Sequence, residues 1–263
     1  GLPVYASVPY SVLQKAEEQK KTRGPSRTAK AISLLAINHP TDLSIEALRS
    51  LRTSLHFGML DAKNNLLMIS GPSPNVGKTF ISANLAAVVA QSGQRVLLID
   101  LDMRRGNLHD LLGISHQNGV SDILVHRCDV STAIHKTKIE GFDFMSRGER
   151  PPNPSELLMR SSFKDLLDEV SSMYDLVILD TPPLLAVTDA AIVGRQCGTS
   201  LIVARFGLNP AREIELTINR FAQNGIKLAG AIFNGVEKRT SANYGYSGYG
   251  YYHYEYKDEK AKA

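Results

Sequence analysis

The chain is poor in cysteine, in long apolar runs and in net charge, and each shortage excludes a class of protein. Its two cysteines, Cys128 and Cys197, lie far apart and outside any metal-ligand spacing. This predicts two reduced thiols in a cytosolic protein rather than a disulfide scaffold or a zinc site. No apolar run approaches the roughly 18 residues that cross a bilayer, and no signal peptide is visible. The 30 basic and 26 acidic residues are scattered and leave a net charge of +4, so we expect no nucleic-acid partner.

The 263 residues, 43% of them hydrophobic, suffice for one large core with small appendages. We predict three parts: an N-terminal arm and linker over residues 1–31, which the resemblance described below makes juxtamembrane, a globular domain over residues 32–240 and a tail over residues 241–263. Within the arm, residues 1–12 favour a short strand or docking segment, and the polar residues 14–31 favour a solvated linker. The tail is rich in Tyr, Gly and Ser, which predicts disorder.

The globular part alternates short apolar strands with helical stretches. The pattern predicts strands at 66–70, 96–100, 142–146, 176–180, 200–204 and 229–234, and helices at 40–57, 80–92, 155–173, 186–195 and 210–224. Such alternation indicates an α/β fold with a parallel sheet covered by helices on both faces. Ligands of these sheets bind at the carboxyl ends of the strands, so the polar residues that end three of these strands define the candidate site.

A glycine-containing segment, GPSPNVGKT at residues 71–79, follows the first of these strands and opens a helix, which is the context of a P-loop. Five residues separate Gly71 from Gly77, one more than is usual. Backbone N–H groups of such a loop wrap the β-phosphate, Lys78 would reach the β- and γ-phosphates, and the Thr79 hydroxyl would bind Mg²⁺. We therefore expect ATP to contact Pro74, Asn75, Val76, Gly77, Lys78, Thr79 and Phe80.

Two further strands end in aspartate. Asp180 occupies the Walker B position, where a carboxylate holds Mg²⁺ directly or through water; the alternative is a helix cap. Asp100 and Asp102 stand two residues apart, which on an extended strand directs both carboxylates to one side, and their repulsion calls for a cation or proton between them. One could then position the metal while the other accepts a proton from an attacking hydroxyl, the alternative being a solvated turn. Arg104 would balance charge or meet a phosphate.

Seven tyrosines crowd into thirteen residues of the tail, and no Val, Ile, Leu or Phe stands among them, which excludes a core strand. An aggregation-prone or RNA-stacking segment remains an alternative, although the arginines of a nucleic-acid-binding tail are absent. Beside an ATP site, such a tail is best interpreted as a substrate for phosphorylation. The candidate acceptors are Tyr244, Tyr246, Tyr249, Tyr251, Tyr252, Tyr254 and Tyr256.

Together these motifs resemble the bacterial tyrosine kinases (BY-kinases) of capsule and exopolysaccharide export, in their Wzc-type autokinase form. The resemblance covers essentially the whole chain and rests on the P-loop, LLIDLDMR at 97–104, LVILDTPP at 176–183, PPNPSELL at 151–158, an ExxRxxR helix and the tyrosine tail. It implies a P-loop NTPase-like kinase fold with ATP and Mg²⁺ as cofactors. It further implies catalysis by Lys78, Asp100 and Asp102, metal binding by Thr79, Asp102 and Asp180, and adenine contact by Asn234.

The resemblance also implies an assembly. Glu46, Arg49 and Arg52 match the family's ExxRxxR oligomerisation motif, whereas their spacing alone favours a surface ion pair within one helix. A ring is then expected, in which each tail reaches a neighbour's active site and tail phosphorylation dissociates the subunits. Further implied partners are a cognate low-molecular-weight protein-tyrosine phosphatase and the polysaccharide polymerisation and export machinery. The implied location is the cytoplasmic face of the bacterial inner membrane, with membrane spans upstream of this chain.

The sequence departs from the family at one position, and two other functions remain as alternatives. Some close relatives carry a tyrosine that is thought to gate the active site shortly after the Asp-x-Asp-x-Arg segment; Asn107 lies in that region here and no tyrosine does, so the resemblance does not imply a gate at that point. A positioning ATPase of the MinD/ParA type shares the fold and ATP site, but it carries a lysine where this chain has Ser73. A non-catalytic module that binds ATP as a structural ligand would have no need of the second aspartate strand.

Overall fold

The computed structural model describes residues 1–14 and 34–237. The predicted linker, apart from Gln14, and the tyrosine tail lie outside the described residues, so their interpretation remains a prediction. The helices that matter here are α1 (Leu35–Asn38), α2 (Leu43–Gly58), α3 (Lys78–Ala90), α4 (Leu108–Leu112), α5 (Val120–Leu124), α6 (Val130–Ala133), α7 (Pro154–Leu158), α8 (Ser161–Met173), α9 (Asp189–Gly194) and α10 (Ala211–Gln223). None of the helices within the described ranges is long and apolar enough to cross a membrane.

The strands of the described chain form one mixed sheet. They are β1 (Val4–Pro9), β2 (Leu66–Ser70), β3 (Val96–Asp100), β4 (Ile134–Lys136), β5 (Phe142–Met145), β6 (Leu176–Asp180), β7 (Thr199–Arg205) and β8 (Gly230–Val236). Their order across the sheet is β1-β8-β7-β2-β6-β3-β5-β4. Neighbours run parallel, except that β4 is antiparallel to β5. The α/β class with helices on both faces is confirmed, as is a strand within residues 1–12, which extends the sheet beside β8.

Alternation along each strand sends neighbouring side chains to opposite faces of the sheet. On β2, Leu67 and Ile69 enter the core formed with α1 to α4, whereas Leu66 and Met68 enter the core formed with α5 to α10. Each face is therefore dry, and the apolar sequence of β2 reflects burial on both sides.

Two predicted boundaries were wrong for identifiable reasons. The predicted helix at 155–173 is two helices, α7 and α8, because Arg160 adopts an extended backbone (ψ 153°) just before Ser161. Neither Gly nor Pro marks that break, so composition gave no warning. The antiparallel strand β4 was missed because its three residues, Ile-His-Lys, are too few to show a period and lie at the sheet edge.

The helix α2 illustrates how the sequence pattern translates into packing. Asp42 caps its first turn by accepting a hydrogen bond from the backbone N–H of Ser44 at 2.8 Å. Ile45, Leu48, Leu51 and Leu55 then face the core, while Leu43 on the opposite side is 48% exposed. One side of the helix is thus buried in the core and the other is exposed on the surface of the domain.

We expect Leu48→Ala to reduce the free energy of unfolding by about 2–5 kcal/mol, because a fully buried leucine would leave a cavity. Leu43→Ala, which removes the same atoms from an exposed position of the same helix, should lower it by less than about 1 kcal/mol. Urea unfolding followed by circular dichroism measures both. Equal losses in the two variants would contradict the packing described for α2.

Candidate active site

The three strands that end in candidate residues lie side by side in the middle of the sheet. β6 is flanked by β2 and β3, and their register aligns Ile69 and Asp100 with Asp180. The P-loop leaves β2 at this edge and α3 begins at Lys78. Parallel pairing therefore gathers residues that are far apart in the sequence at the carboxyl ends of the strands.

The backbone of the P-loop forms a concave turn that only certain residues tolerate. Asn75 and Gly77 both adopt left-handed conformations, with φ of 63° and 96°. A Cβ atom on Gly77 would lie 2.1 Å from the amide nitrogen of Asn234, so a side chain there would collide as well as strain the backbone. With the N-terminus of the thirteen-residue helix α3 behind it, this turn fits a phosphate group.

Three polar side chains from the β7–β8 side fasten the P-loop. Asn234 Nδ2 donates to the Val76 carbonyl at 2.9 Å, and Arg205 Nη1 donates to the Asn75 carbonyl at 3.0 Å. Asn209 Nδ2 donates to the Ser73 hydroxyl at 2.9 Å. Asn234 thus contacts the loop directly, and its expected contact with adenine remains a prediction. Sequence reasoning missed Arg205 and Asn209, although Arg205 ends an apolar strand as the predicted aspartates do.

Asp180 lies beneath the loop and is only 3% exposed. Its two carboxylate oxygens accept hydrogen bonds from the Thr79 and Ser82 hydroxyls, each at 3.0 Å. Burial raises the pKa of Asp180 to about 6, against the opposing effects of Lys78 and of the two hydroxyls. Ser82 was also missed; it stands three residues after Thr79, on the same side of α3.

Lys78 is buried, and its positive charge acts on Asp180 and Asp102. Burial lowers the pKa of its ammonium group, while Asp180 and Asp102 act to raise it. Lys78, Thr79 and Asp180 are therefore brought together as the sequence predicted. Their roles in catalysis and metal binding remain predictions.

The Asp100–Asp102 pair differs from the extended arrangement assumed from the sequence. β3 ends at Asp100, which is fully buried and accepts hydrogen bonds from the backbone N–H groups of Asp102 at 3.1 Å and Leu108 at 3.4 Å. Burial, with Asp180 and Asp102 adding to it, raises the pKa of Asp100 well above its usual range. Asp102 instead belongs to a turn, where its carboxylate accepts from the N–H groups of Arg104 and Arg105. Of the two acids, Asp102 lines the cavity that opens beside the P-loop.

A cavity of about 1050 Å³ opens above these residues. One side is formed by the P-loop and the start of α3, together with Arg205. The other side is formed by the segment after β3 and the segment after β6, and its lining residues include Arg104, Arg105, Asn107, Asp110, Leu111 and Pro183. Lys78 and Asp102 line the same cavity, so residues of both sides would border a triphosphate bound to the loop.

Arg104 is committed to a buried partner. Its Nε and Nη2 atoms donate to the two oxygens of Asp189, at 3.2 and 3.3 Å, and Asp189 is fully buried at the start of α9. The Ser155 hydroxyl donates to the same carboxylate at 2.6 Å. This network joins the Asp102 turn to the PPNPSELL segment, and neither Asp189 nor its pairing with Arg104 was predicted.

The polar groups around the P-loop fit Mg²⁺ and a nucleoside triphosphate. Among residues 1–14 and 34–237, no three His, Cys, Asp or Glu side chains cluster as a metal site of their own. Thr79, Asp102 and Asp180 offer hard oxygen atoms beside the phosphate-binding loop, which suits a metal that also binds phosphate oxygens. The bound ion would neutralise charge that develops on the transferred phosphate.

The ExxRxxR residues lie on α2, apart from the cavity. Glu46 and Arg49 form an ion pair within the helix, as their spacing alone suggested. Arg52 Nη1 reaches the Val88 carbonyl of α3 at 3.4 Å. Their expected part in oligomerisation remains a prediction.

Together, the fold and this loop define a P-loop nucleotide-binding domain. Residues 68–205 match a family model described as an AAA domain. The tyrosine-protein kinase wzc of Salmonella typhimurium (strain LT2) is 53% identical over 259 residues, which are 98% of this chain and 36% of that protein. A putative tyrosine-protein kinase in the cps region of Klebsiella pneumoniae is 50% identical over 245 residues, 93% of this chain and 34% of that protein.

The solved kinase domain of Escherichia coli tyrosine kinase ETK is 49% identical, with a TM-score of 0.82, and the match covers 95% of this chain and 96% of that domain. This chain therefore belongs to the bacterial tyrosine kinase family, in which it corresponds to the kinase domain. It spans about a third of the length of the curated relatives it matches.

Asn234→Ala should weaken binding of a non-hydrolysable ATP analogue about fivefold, because one buried hydrogen bond to the P-loop is worth about 1 kcal/mol. Titration calorimetry with the ATP and GTP analogues separates two roles. Loss with both indicates support of the loop, and loss with ATP alone indicates the predicted adenine contact. Asn224→Ala, which removes an exposed amide at the end of α10, is the matched control; unchanged affinity in Asn234→Ala would contradict both roles.

Proposed function

We propose that this domain is an ATP- and Mg²⁺-dependent autokinase that phosphorylates the tyrosine cluster at its own C-terminus. The observation that carries the proposal is a cavity lined on one side by the P-loop and on the other by the segments after β3 and β6, in a chain that also carries seven clustered tyrosines. Water as the acceptor would make the domain an ATPase, but this would leave the cluster unexplained.

The connection between tail and site is short enough for this role. β8 ends at Val236, two residues after Asn234, whose side chain contacts the P-loop. Tyr244 follows eight residues later and Tyr256 twenty residues later. Fully extended chain would span at most about 29 Å and 72 Å over these lengths. Such lengths are compatible with transfer to the tail's own site and with transfer to that of a neighbour.

The proposed transfer uses groups that line or border the cavity. The tyrosine oxygen forms a bond to the γ-phosphorus while the bond from that phosphorus to the β–γ bridging oxygen breaks, and ADP leaves. Lys78 stabilises the negative charge on the phosphates, and the phenolic proton passes to the carboxylate of Asp102. Asp100, held by backbone N–H groups, keeps the Asp102 turn in position.

Transfer between neighbouring subunits of a ring is the form of the reaction that we favour. Glu46 and Arg49 on the open side of α2 would meet the next subunit, and unphosphorylated tails would hold neighbours together. Each added phosphate brings a charge of about −1.5 to −2, so a heavily phosphorylated tail would leave the neighbouring site and the ring would dissociate.

The wider role proposed is regulation of capsule or exopolysaccharide polymerisation and export at the cytoplasmic face of the bacterial inner membrane. Two relatives support this proposal, one by its name, wzc, and one by its assignment to a cps region. A low-molecular-weight protein-tyrosine phosphatase would reverse the modification. The positioning-ATPase alternative is disfavoured because Ser73, held by Asn209, stands where that group carries a lysine.

Incubation of the dephosphorylated chain with Mg-ATP should place phosphate on Tyr244–Tyr256 within the tail, as measured by mass spectrometry. Lys78→Met should abolish labelling, whereas Lys164→Met, at an exposed site on α8, should not. Removal of residues 244–263 should abolish phosphotyrosine but leave ATP binding intact. ATP hydrolysis without any tyrosine label would support an ATPase. Absence of both hydrolysis and labelling would support a module that only binds ATP.

A mixture distinguishes transfer between chains from transfer within one chain. Lys78→Met chains with an intact tail are combined with active chains that lack residues 244–263. Label on the inactive partner's tail supports the proposed transfer in trans. Absence of such label, with normal labelling of the intact active chain, indicates transfer within one chain.

Glu46→Ala with Arg49→Ala should reduce the mass of the unphosphorylated assembly toward that of a monomer in light scattering. Replacing Lys164 and Asp168, an intrahelical ion pair of the same kind on α8, should leave the mass unchanged. Phosphorylation of the chain without substitutions should lower the mass of the assembly as the double substitution does. A ring that survives full tail phosphorylation would contradict the proposed release.

A further inference from the structure

The second side of the cavity, formed by the segments after β3 and β6, is built differently from the nucleotide side. We call it the acceptor wall; it comprises the cavity-lining residues within 104–111 and 182–187. Leu111, Pro183 and Val187 give it an apolar surface that suits an aromatic ring. Its charges come from Arg104, Arg105 and Asp110.

Two adjacent arginines on this wall differ in how their charges are balanced. Arg104 is paired with buried Asp189, so its charge is largely neutralised where it stands. Arg105 is exposed, and its guanidinium forms no hydrogen bond or ion pair with the residues that the structure describes. Asp110, the acid of this wall, lies 3.5 Å from His109 Nε2. Arg105 is therefore the positive charge of the wall that faces the cavity without a described partner.

The tyrosines of the tail fall into two groups by the charge that accompanies them. From Lys238 to Tyr254 the chain contains no acidic residue, so Tyr244 to Tyr251 lie at least four residues from a carboxylate. Tyr252 lies three residues before Glu255, which separates Tyr254 from Tyr256. Lys257 follows Tyr256, and Asp258, Glu259 and Lys260 come next. Tyr254 and Tyr256 are therefore the tyrosines of the cluster that stand directly beside a carboxylate.

We infer that Arg105 reads negative charge beside the acceptor tyrosine, which makes Tyr254 and Tyr256 the first residues to be phosphorylated. This rests on the proposed autokinase function and adds a specificity determinant to it. The acceptor ring lies on the apolar part of the wall, and a carboxylate of Glu255, Asp258 or Glu259 pairs with the guanidinium of Arg105.

The same contact gives the reaction a direction along the tail. A phosphotyrosine carries more negative charge than a carboxylate and offers three acceptor oxygens to a guanidinium. Once Tyr254 or Tyr256 is modified, it serves as the anchor for the uncharged tyrosines that precede it. Phosphorylation then advances from Tyr256 toward Tyr244.

The order of modification tests this on the full chain. Dephosphorylated protein is mixed with Mg-ATP, and the occupancy of each tyrosine is followed by mass spectrometry at short times. Tyr254 and Tyr256 should lead, and Arg105→Gln should abolish their lead. Arg220→Gln removes the same charge from an exposed position on α10 outside the cavity and should preserve the order. Simultaneous labelling of all seven tyrosines by the unmodified protein would overturn the inference.

A peptide assay separates charge recognition from a structural effect of the substitution. The substrates are a peptide with the sequence of residues 250–259 and its neutral form with Glu255→Gln, Asp258→Asn and Glu259→Gln. Arg105→Gln should raise KM for the acidic peptide about two- to fivefold, the size expected of an exposed ion pair, and leave KM for the neutral peptide and both kcat values unchanged. High salt should reduce the difference in KM between the acidic and neutral peptides for the protein without substitutions.

A charge exchange completes the test. Arg105→Glu should prefer a peptide in which Glu255 is replaced by Arg, since the pair would be restored with its signs reversed. Equal use of acidic and neutral peptides by the unmodified protein, or an equal loss with both peptides in Arg105→Gln, would overturn the inference while leaving the autokinase function intact. Absence of phosphotyrosine on every substrate would instead remove the proposed function.

Discussion

The arrangement of the site depends on keeping the Asp180 carboxylate charged in a place that is almost closed to water. Burial disfavours that charge, and Lys78 and the hydroxyls of Thr79 and Ser82 oppose the effect. All three come from the first turns of α3, so the helix must begin directly above the end of β6. Gly77 meets this requirement by turning the chain with a φ of 96° at the base of the helix. The lysine is desolvated in turn, which makes each charge dependent on the other.

The two sides of the cavity are fixed by different kinds of contact. The nucleotide side is tied to the sheet by Asn234 and Arg205, which stand on β8 and β7, and by Asn209 just beyond β7. The acceptor wall belongs to segments that follow strands. Arg104 joins it to Asp189, and the segment after β6 is bonded to the P-loop by the backbone N–H of Leu184, which donates to the Gly71 carbonyl at 3.0 Å. Binding residues are often carried on such segments, because loops can vary without disturbing the core.

Much of the fold could be predicted from the sequence because burial on both faces makes β2, β3 and β6 uniformly apolar and easy to locate. The P-loop and its lysine could be predicted because their residues are consecutive. By contrast, the contacts of Arg205 with Asn75 and of Arg104 with Asp189 join positions 130 and 85 residues apart. No periodicity records such pairs, since a single polar residue at a strand end or helix start has many possible partners.

The predicted geometry of Asp100 and Asp102 failed for a related reason. Two carboxylates that stand two residues apart point to the same side of a strand only while the strand continues. Here the strand ends at Asp100, the first of the two. Asp100 is buried against the backbone of the following turn, and Asp102, within that turn, faces the cavity. The distinction matters for function because fold alone does not choose between an ATPase and a kinase. In the proposed function, selection of a tyrosine over water falls to the acceptor wall, and the turn that carries Asp102 also carries Arg105 of that wall.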